Sequence, residues 1–280
     1  MLVNLQAVLE PAAKGRFAVG GFNITGLETA LAIAEAAERE KSPVIFQISA
    51  KTIDYMGLDL AAAIGLTLSN RLKVPAVVHL DHGTDLELAE QALKGGFSSI
   101  MLDVSRVPVK ERIPIVRDFV QRAKKKNVSV EAEEDAIGGR EDYVIGDRSH
   151  FTEPKRASEF VRLTGCAAYA VSIGSTHGQP LPNEKLDLEL LSEIARSVPV
   201  PLVLHGASST PKPIIREAIS RGISKINIDT DLRLAFTGQL RRTLRNDDLI
   251  DPRDELKPAR EEVCRVVREK MRLFGSSGQA

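Results

Sequence analysis

VVHLDHG, residues 77–83, is an apolar run that ends in His79, Asp81 and His82, in a chain with five histidines. A short continuous apolar segment with a polar exit suits a strand buried on both faces, as in a parallel sheet covered by helices. A carboxylate beside an imidazole at such an exit calls for a partner, because an unpaired buried charge is costly. A metal ion is one candidate. His79 lies before the exit and reads as a packing residue.

The same unit recurs on either side. Strand-like segments at 17–23, 44–49, 76–81, 99–103, 128–133, 169–173, 201–205 and 224–228 precede helical patterns at 27–41, 58–72, 85–94, 108–126, 154–163, 188–197, 211–221 and 231–244. A Gly-rich loop follows the fifth strand. Segments 5–14 and 257–273 read as additional helices, and the tail GSSGQA (275–280) is expected to fray. Eight units predict an α/β fold, a (β/α)8 TIM barrel with extra N- and C-terminal helices, forming one domain over residues 1–280. A doubly wound sheet would show GxGxxG after its first strand, and GGFNITG (20–26) does not match.

Composition narrows the function. Lys plus Arg and Asp plus Glu are 38 each, a formal net charge of zero, which gives no support for nucleic-acid or membrane partners. Cys166 and Cys264 are the two cysteines, too far apart for a CxxC pair, so a thiolate zinc site or disulfide framework is not expected and a reducing, cytoplasmic setting is. The first residues, MLVNLQAVLEPAAKG, lack the apolar core of a signal peptide.

In a barrel the chemistry gathers at the C-terminal strand ends. The third strand ends in Asp81 and His82, the fourth in Asp103, and the fifth in Glu131, Glu133 and Glu134. The sixth runs into Ser175-Thr176-His177-Gly178, the seventh into His205-Gly206-Ala207-Ser208, and the eighth into Asn227, Asp229 and Thr230. One histidine alone reads as a core residue. His82, His177 and His205 at equivalent ends read as a catalytic zinc set, three imidazoles with an open fourth position. The small residues of GASST (206–210) let backbone N–H groups approach an anion, with Thr210 as N-cap and Pro211 as first helical residue. Lys225 stops short of the rim and reads as structural, and His150 as a surface or packing residue.

HLDHG (79–83), EAEE (131–134) with GGREDYV (138–144), SIGSTHG (172–178), LHGAS (204–208), KINIDTDLR (225–233) and DPRDELKPAR (251–260) together resemble the class II, metal-dependent fructose- and tagatose-bisphosphate aldolases, in order and spacing and over nearly the whole chain. The resemblance implies reversible retro-aldol cleavage of a ketose (bis)phosphate to dihydroxyacetone phosphate and an aldehyde, through a zinc-stabilised enediolate. It implies His82, His177 and His205 as zinc ligands, and Asp103 and Glu133 as carboxylates at a second or displaced metal position. Asp81 would be the acid/base at the aldehyde oxygen and Glu141 the loop carboxylate that takes the proton beside the carbonyl. Gly178, Gly206, Ala207, Ser208, Asn227, Ile228, Asp229 and Thr230 would cradle dihydroxyacetone phosphate, and Ser49 would contact the aldehyde half. A monovalent cation is a further candidate cofactor, and a homodimer or homotetramer the expected assembly.

The departures sit on the ligand side. HGQPLPNEK (177–185) stands where many members read HGxYKG, so Pro180, Leu181 and Pro182 replace Tyr-Lys-Gly and a lysine beside the phosphate is lost. Ser209 stands where glycine is usual, and Val104 where a small residue is common. These differences point to a related ketose phosphate with a changed anionic or acidic end. A Schiff-base mechanism needs an inward lysine on a barrel strand, which VSI (171–173) does not offer. A non-catalytic sugar-phosphate-binding or aldolase-partner subunit would predict decay of the metal and proton-transfer residues. A zinc hydrolase would not need the anion cradle.

Overall fold

The computed structural model describes residues 1–135, 138–141, 144–146, 150–178, 185–208 and 210–280, except the side chains of 138–141, 144–146 and His177. In chain order the strands are β1 (Val19–Asn23), β2 (Val44–Ser49), β3 (Ala76–Gly83), β4 (Ser99–Asp103), β5 (Ser129–Glu133), β6 (Gly138–Glu141), β7 (Val144–Gly146), β8 (Ala168–Ala170), β9 (Thr176–His177), β10 (Leu202–Leu204) and β11 (Ile223–Ile228). Eight of them close a parallel barrel in the order β1-β11-β10-β8-β5-β4-β3-β2. The expected TIM barrel is therefore the fold.

The helices are α1 (Leu5–Gly15), α2 (Leu27–Glu40), α3 (Ala50–Met56), α4 (Leu58–Arg71), α5 (Leu86–Lys94), α6 (Val109–Lys124), α7 (Pro154–Thr164), α8 (Leu188–Ser197), α9 (Lys212–Ser220), α10 (Thr230–Thr243) and α11 (Pro252–Phe274). Strand–helix alternation sets the two faces of each strand. Outward residues such as Phe22, Phe46, Val78, Leu80, Ile100, Leu204 and Ile226 join one apolar cluster with the helices. Inward residues Val19, Ile45, Val77, Met101, Ala168 and Val203 form a second cluster with Leu5, Val8, Leu9 and Ala12 of α1, which plugs the N-terminal mouth. Burial of each large aliphatic side chain there contributes about 1.5–3 kcal/mol.

Above this apolar floor the inward positions turn polar. With a period of two, Gln47, His79, Glu131 and Lys225 come next, and Asn23, Ser49, Asp81, Asp103, Glu133 and Asn227 follow at the rim. All ten are buried. The interior thus changes from hydrocarbon to ionisable groups along its own axis.

Several elements differ from the sequence expectation. The Gly-rich loop after β5 contains β6 and β7, which form a small sheet with β9 at the C-terminal end of the barrel. Gly57, at φ +84°, separates α3 from α4, an element the apolar period alone did not announce. The last helix starts at Pro252 rather than 257, because Asp251 accepts a hydrogen bond from the Arg253 backbone N–H and proline suits the first helical position. The N-cap of α9 is Pro211, one residue after the expected Thr210.

The tail does not fray. Ser276 is fully buried and its hydroxyl meets that of Ser42 at 2.8 Å. The Gly278 and Ala280 N–H groups donate to the carbonyls of Glu40 and Lys41 at 2.8 and 3.0 Å. Backbone pairing with the end of α2 replaces the solvent that a free tail would need. Among the described residues no helix is long and apolar enough to cross a membrane.

Candidate active site

On β3 the inward positions are Val77, His79 and Asp81, so regular alternation would turn His82 towards the helices. Two local features reverse this. His82 adopts φ +49°, and the pairing of β3 with β4 shifts register between Leu80 and Gly83. Gly83 permits the close approach, since a Cβ there would lie 2.5 Å from the Met101 carbonyl oxygen. His82 consequently shares the barrel mouth with Asp81.

His205 reaches the same point from the end of β10. Its Nδ1 lies 3.1 Å from His82 Nε2, with the ring centroids 4.8 Å apart at 72°. Asp81 is fixed from both sides: Asn23 Nδ2 donates to Oδ2 at 2.8 Å and Asn227 Nδ2 to Oδ1 at 3.3 Å. The Asn227 amide nitrogen also lies along the His205 ring, 3.1 Å from Nδ1 and 3.3 Å from Nε2.

Asp103 and Glu133 stand on the other side of His82, with Asp103 Oδ2 3.5 Å from His82 Nδ1. Burial pushes the His82 imidazole towards neutrality, but the facing Asp103 carboxylate and the charges of Asp81 and Glu133 outweigh it and raise its pKa to about 10. Burial likewise works against the Asp103 carboxylate, and the His82 interaction overrides it to hold the pKa at about 2. The same carboxylates would draw a divalent cation, which competes with that proton.

The donor set fits such an ion. Asp81, His82 and His205 offer ligand atoms all within 4.8 Å of one another, and so do His82, Asp103 and Glu133. Two ligands on a tetrahedral zinc lie roughly 3.3 Å apart at zinc–nitrogen distances of about 2.0–2.1 Å, close to the separation of the facing His82 and His205 nitrogens.

A second tier lies beneath. Lys225 Nζ donates to Glu131 Oε2 at 2.6 Å and meets His79 Nε2 at 3.1 Å, and Glu131 Oε1 meets His205 Nε2 at 3.0 Å. Burial, followed by the Lys225 charge, pulls the His79 pKa well below the usual imidazole range.

The remaining expected residues distribute around this centre. Ser49 caps α3, its hydroxyl accepting from the Thr52 N–H at 3.4 Å. Gly178 and Gly206 have φ of +85° and +65°, and the Ser208 hydroxyl accepts from the Asp231 N–H at 3.5 Å, tying the loops after β10 and β11 together. Asp229 pairs with Arg233 at 2.6 Å, and Thr230 opens α10. Ala207 and Ile228 pack into the outward apolar cluster, so the Ile228 side chain faces the helices. The backbones of His177 and Glu141 lie in β9 and β6, and their side chains lie outside the described residues. His150 is exposed.

Sequence reasoning missed Asn23 and the roles of His79, Glu131 and Lys225 as hydrogen-bonded neighbours of the rim. The inward period of two was the signal that could have found them. It also missed a cleft of about 340 Å³ lined by Thr25, Lys51, Thr52, Tyr55, Arg233, Phe236 and Thr237. Thr25 and Lys51 each lie two residues past the ends of β1 and β2, which puts this cleft beside the rim.

Comparison with known proteins agrees with this architecture. The chain is 40% identical to the 6-phospho-5-dehydro-2-deoxy-D-gluconate aldolase of Bacillus subtilis (strain 168), over 99% of this chain and 97% of that protein. It is 40% identical to a fructose-bisphosphate aldolase of Geobacillus stearothermophilus, over 100% and 99% of the two chains. The crystal structure of the YdjI aldolase from Escherichia coli K12 superposes with a TM-score of 0.90 at 31% identity, covering 100% of both chains. The model of the family described as fructose-bisphosphate aldolase class-II matches residues 3–279. With nearly every residue inside that match, the chain belongs to the class II fructose-bisphosphate aldolase family.

Proposed function

We propose that the chain is a divalent-metal-dependent aldolase, which cleaves a phosphorylated ketose to dihydroxyacetone phosphate and an aldehyde. The observation that carries this reading is the approach of His82 Nε2 to His205 Nδ1, 3.1 Å, beside an Asp81 carboxylate gripped by two asparagines. His82 and His205, with His177 as the third ligand, would hold the cation, zinc by family resemblance. Asp103 and Glu133 offer a second position beside His82. When bound, the cation supplies Lewis-acid polarisation of the ketose carbonyl, a contribution of several kcal/mol.

The chain's own groups do the rest. Asp81 exchanges a proton with the hydroxyl that becomes the aldehyde oxygen, a contribution of about 10²- to 10⁴-fold. Glu141 serves the carbon next to the carbonyl. Gly178 and Gly206 to Ser208 follow β9 and β10, and Asn227 to Thr230 span the end of β11 and the start of α10, where backbone N–H groups suit a phosphate. The active unit is one barrel domain over the whole chain, assembled as a homodimer or homotetramer in the cytoplasm.

The ketose we favour carries an anionic group on its aldehyde half. The cleft beside the rim supports this, since Lys51 and the Asp229-paired Arg233 line it together with Thr25, Thr52, Tyr55 and Thr237. The relatives' names span two such substrates, fructose bisphosphate and 6-phospho-5-dehydro-2-deoxy-D-gluconate. The test is a ketose-phosphate panel containing both, assayed after chelation and again with zinc restored. Carbon–carbon cleavage that disappears with chelator and returns with zinc supports the reading. Phosphate release without cleavage points to a hydrolase, and no turnover on any ketose to a binding subunit.

A further inference from the structure

Under the rim, Ser99, His79, Lys225, Glu131 and His205 form a continuous chain of fully buried polar groups that the proposed chemistry does not use below His205. The contacts run Ser99 Oγ to His79 Nδ1 at 2.8 Å, His79 Nε2 to Lys225 Nζ at 3.1 Å, Lys225 Nζ to Glu131 Oε2 at 2.6 Å, and Glu131 Oε1 to His205 Nε2 at 3.0 Å.

Donor and acceptor chemistry orients every link. An ammonium only donates, so the His79 Nε2 facing it accepts, and His79 Nδ1–H donates to Ser99. A carboxylate only accepts, so His205 Nε2 carries the hydrogen and Nδ1 keeps its lone pair. That Nδ1 is the atom 3.1 Å from His82 Nε2. One carboxylate thus sets both the tautomer and the rotation of an imidazole at the cation site, and the ammonium below keeps the carboxylate from turning away.

We infer that Glu131 and Lys225 are positioning residues for the metal: Lys225 clamps Glu131, and Glu131 holds His205 with Nδ1 aimed at the ion. The inference rests on the metal-aldolase reading. Packing alone does not account for the pair. Apolar residues of similar volume often replace a buried ion pair without loss of stability, whereas an imidazole ligand needs a carboxylate or carbonyl on its other nitrogen.

The test is zinc affinity of the full-length, chelator-stripped chain, measured by competition with a chromophoric chelator. Wild type is compared with Glu131→Gln and with the charge-free pair Glu131→Leu/Lys225→Met, and thermal midpoints are recorded without metal. Glu131→Gln leaves one carbonyl to serve two donors, and the double variant leaves His205 with no acceptor. Zinc affinity is expected to fall by about 10- to 100-fold in both variants, including a double variant as stable as wild type. Wild-type affinity in a folded double variant overturns the positioning role and leaves the aldolase reading intact. If the double variant does not fold, Glu131→Gln decides, and unchanged affinity there overturns the role. Failure of the wild-type chain to bind zinc removes the aldolase reading itself.

Discussion

Asn23 Nδ2 donates to Asp81 Oδ2 at 2.8 Å, so the carboxylate at the end of β3 is held from β1, two strands away in the barrel. Asn227 holds the other oxygen from β11 at 3.3 Å. A carboxylate fixed from two strands has one orientation beside His82 and His205, which is what the proposed acid/base role requires.

Asp81→Asn is therefore expected to lower kcat by about 10²- to 10⁴-fold, the usual worth of a positioned proton carrier. Zinc content should stay near wild type, because the histidines remain, while the thermal midpoint should fall modestly, because the amide offers one oxygen to the two asparagine donors. Asn23→Ala should cost about 10-fold in kcat through loss of one hydrogen bond to a charged group. Steady-state kinetics with metal analysis checks both, and an Asp81→Asn enzyme with full activity contradicts the assignment.

Gly83 sets where His82 points. A methyl group added there meets the Met101 backbone oxygen at 2.5 Å, and neither backbone can yield without moving the strand end. Gly83→Ala is expected to destabilise by about 1–3 kcal/mol and to weaken zinc binding by displacing its neighbour His82. Denaturant titration and metal stoichiometry give the two readouts.

Glu40 joins α2 to the C-terminal helix and tail. It accepts from Arg268 Nε at 2.8 Å, from Arg272 Nε at 2.9 Å and from the Ser277 hydroxyl at 2.7 Å. The Arg272 hydrogen bond leads in lowering its pKa from 4.5 to about 2, against the opposing effect of burial. A depressed carboxylate contributes stability that is fully present above its unfolded pKa and is lost as pH falls through the folded one. With both arginines partly in solvent, the contribution is on the order of 1–3 kcal/mol. Glu40→Gln should lower the thermal midpoint by several degrees at neutral pH, and the gap from wild type should narrow as pH falls from about 4.5 towards 2. A gap that is constant with pH contradicts the account.

Lys51 lines the cleft beside the rim. Lys51→Ala is expected to raise KM by about 2- to 5-fold for ketoses with an acidic group on the aldehyde half, the scale of one partly exposed charge–charge contact. Ketoses with a neutral aldehyde half should keep their KM. An equal rise for both classes contradicts a role in reading that charge.

The barrel was legible from the sequence because parallel strands buried on both faces leave continuous apolar runs, such as VIFQIS at 44–49, between amphipathic helices. The rim was legible because Asp81, Asp103, Glu133, His205 and Asn227 interrupt those runs at their ends. The tier below was not, because His79 and Lys225 lie inside the runs, where their inward direction emerges only from the phase of each strand. His82 was legible as a metal-ligand candidate, but strand alternation alone would turn it outward, and a φ of +49° with a register shift brings it to the mouth. The tail misled because GSSGQA has the composition of a free end, while backbone carbonyls at the end of α2 capture it. The small sheet of β6, β7 and β9 was hidden in Gly-rich sequence, where side-chain pattern says little about backbone pairing.

The central claim is that His82 and His205 hold a divalent ion beside Asp81. It is tested most directly by stripping the full chain with chelator, returning zinc in steps, and following bound metal and ketose-phosphate cleavage together in wild type and His205→Ala. The account predicts that activity rises in proportion to tightly bound zinc in wild type, and that neither recovers in the variant. Full cleavage by the stripped chain, or undiminished zinc binding by a folded His205→Ala, would contradict it.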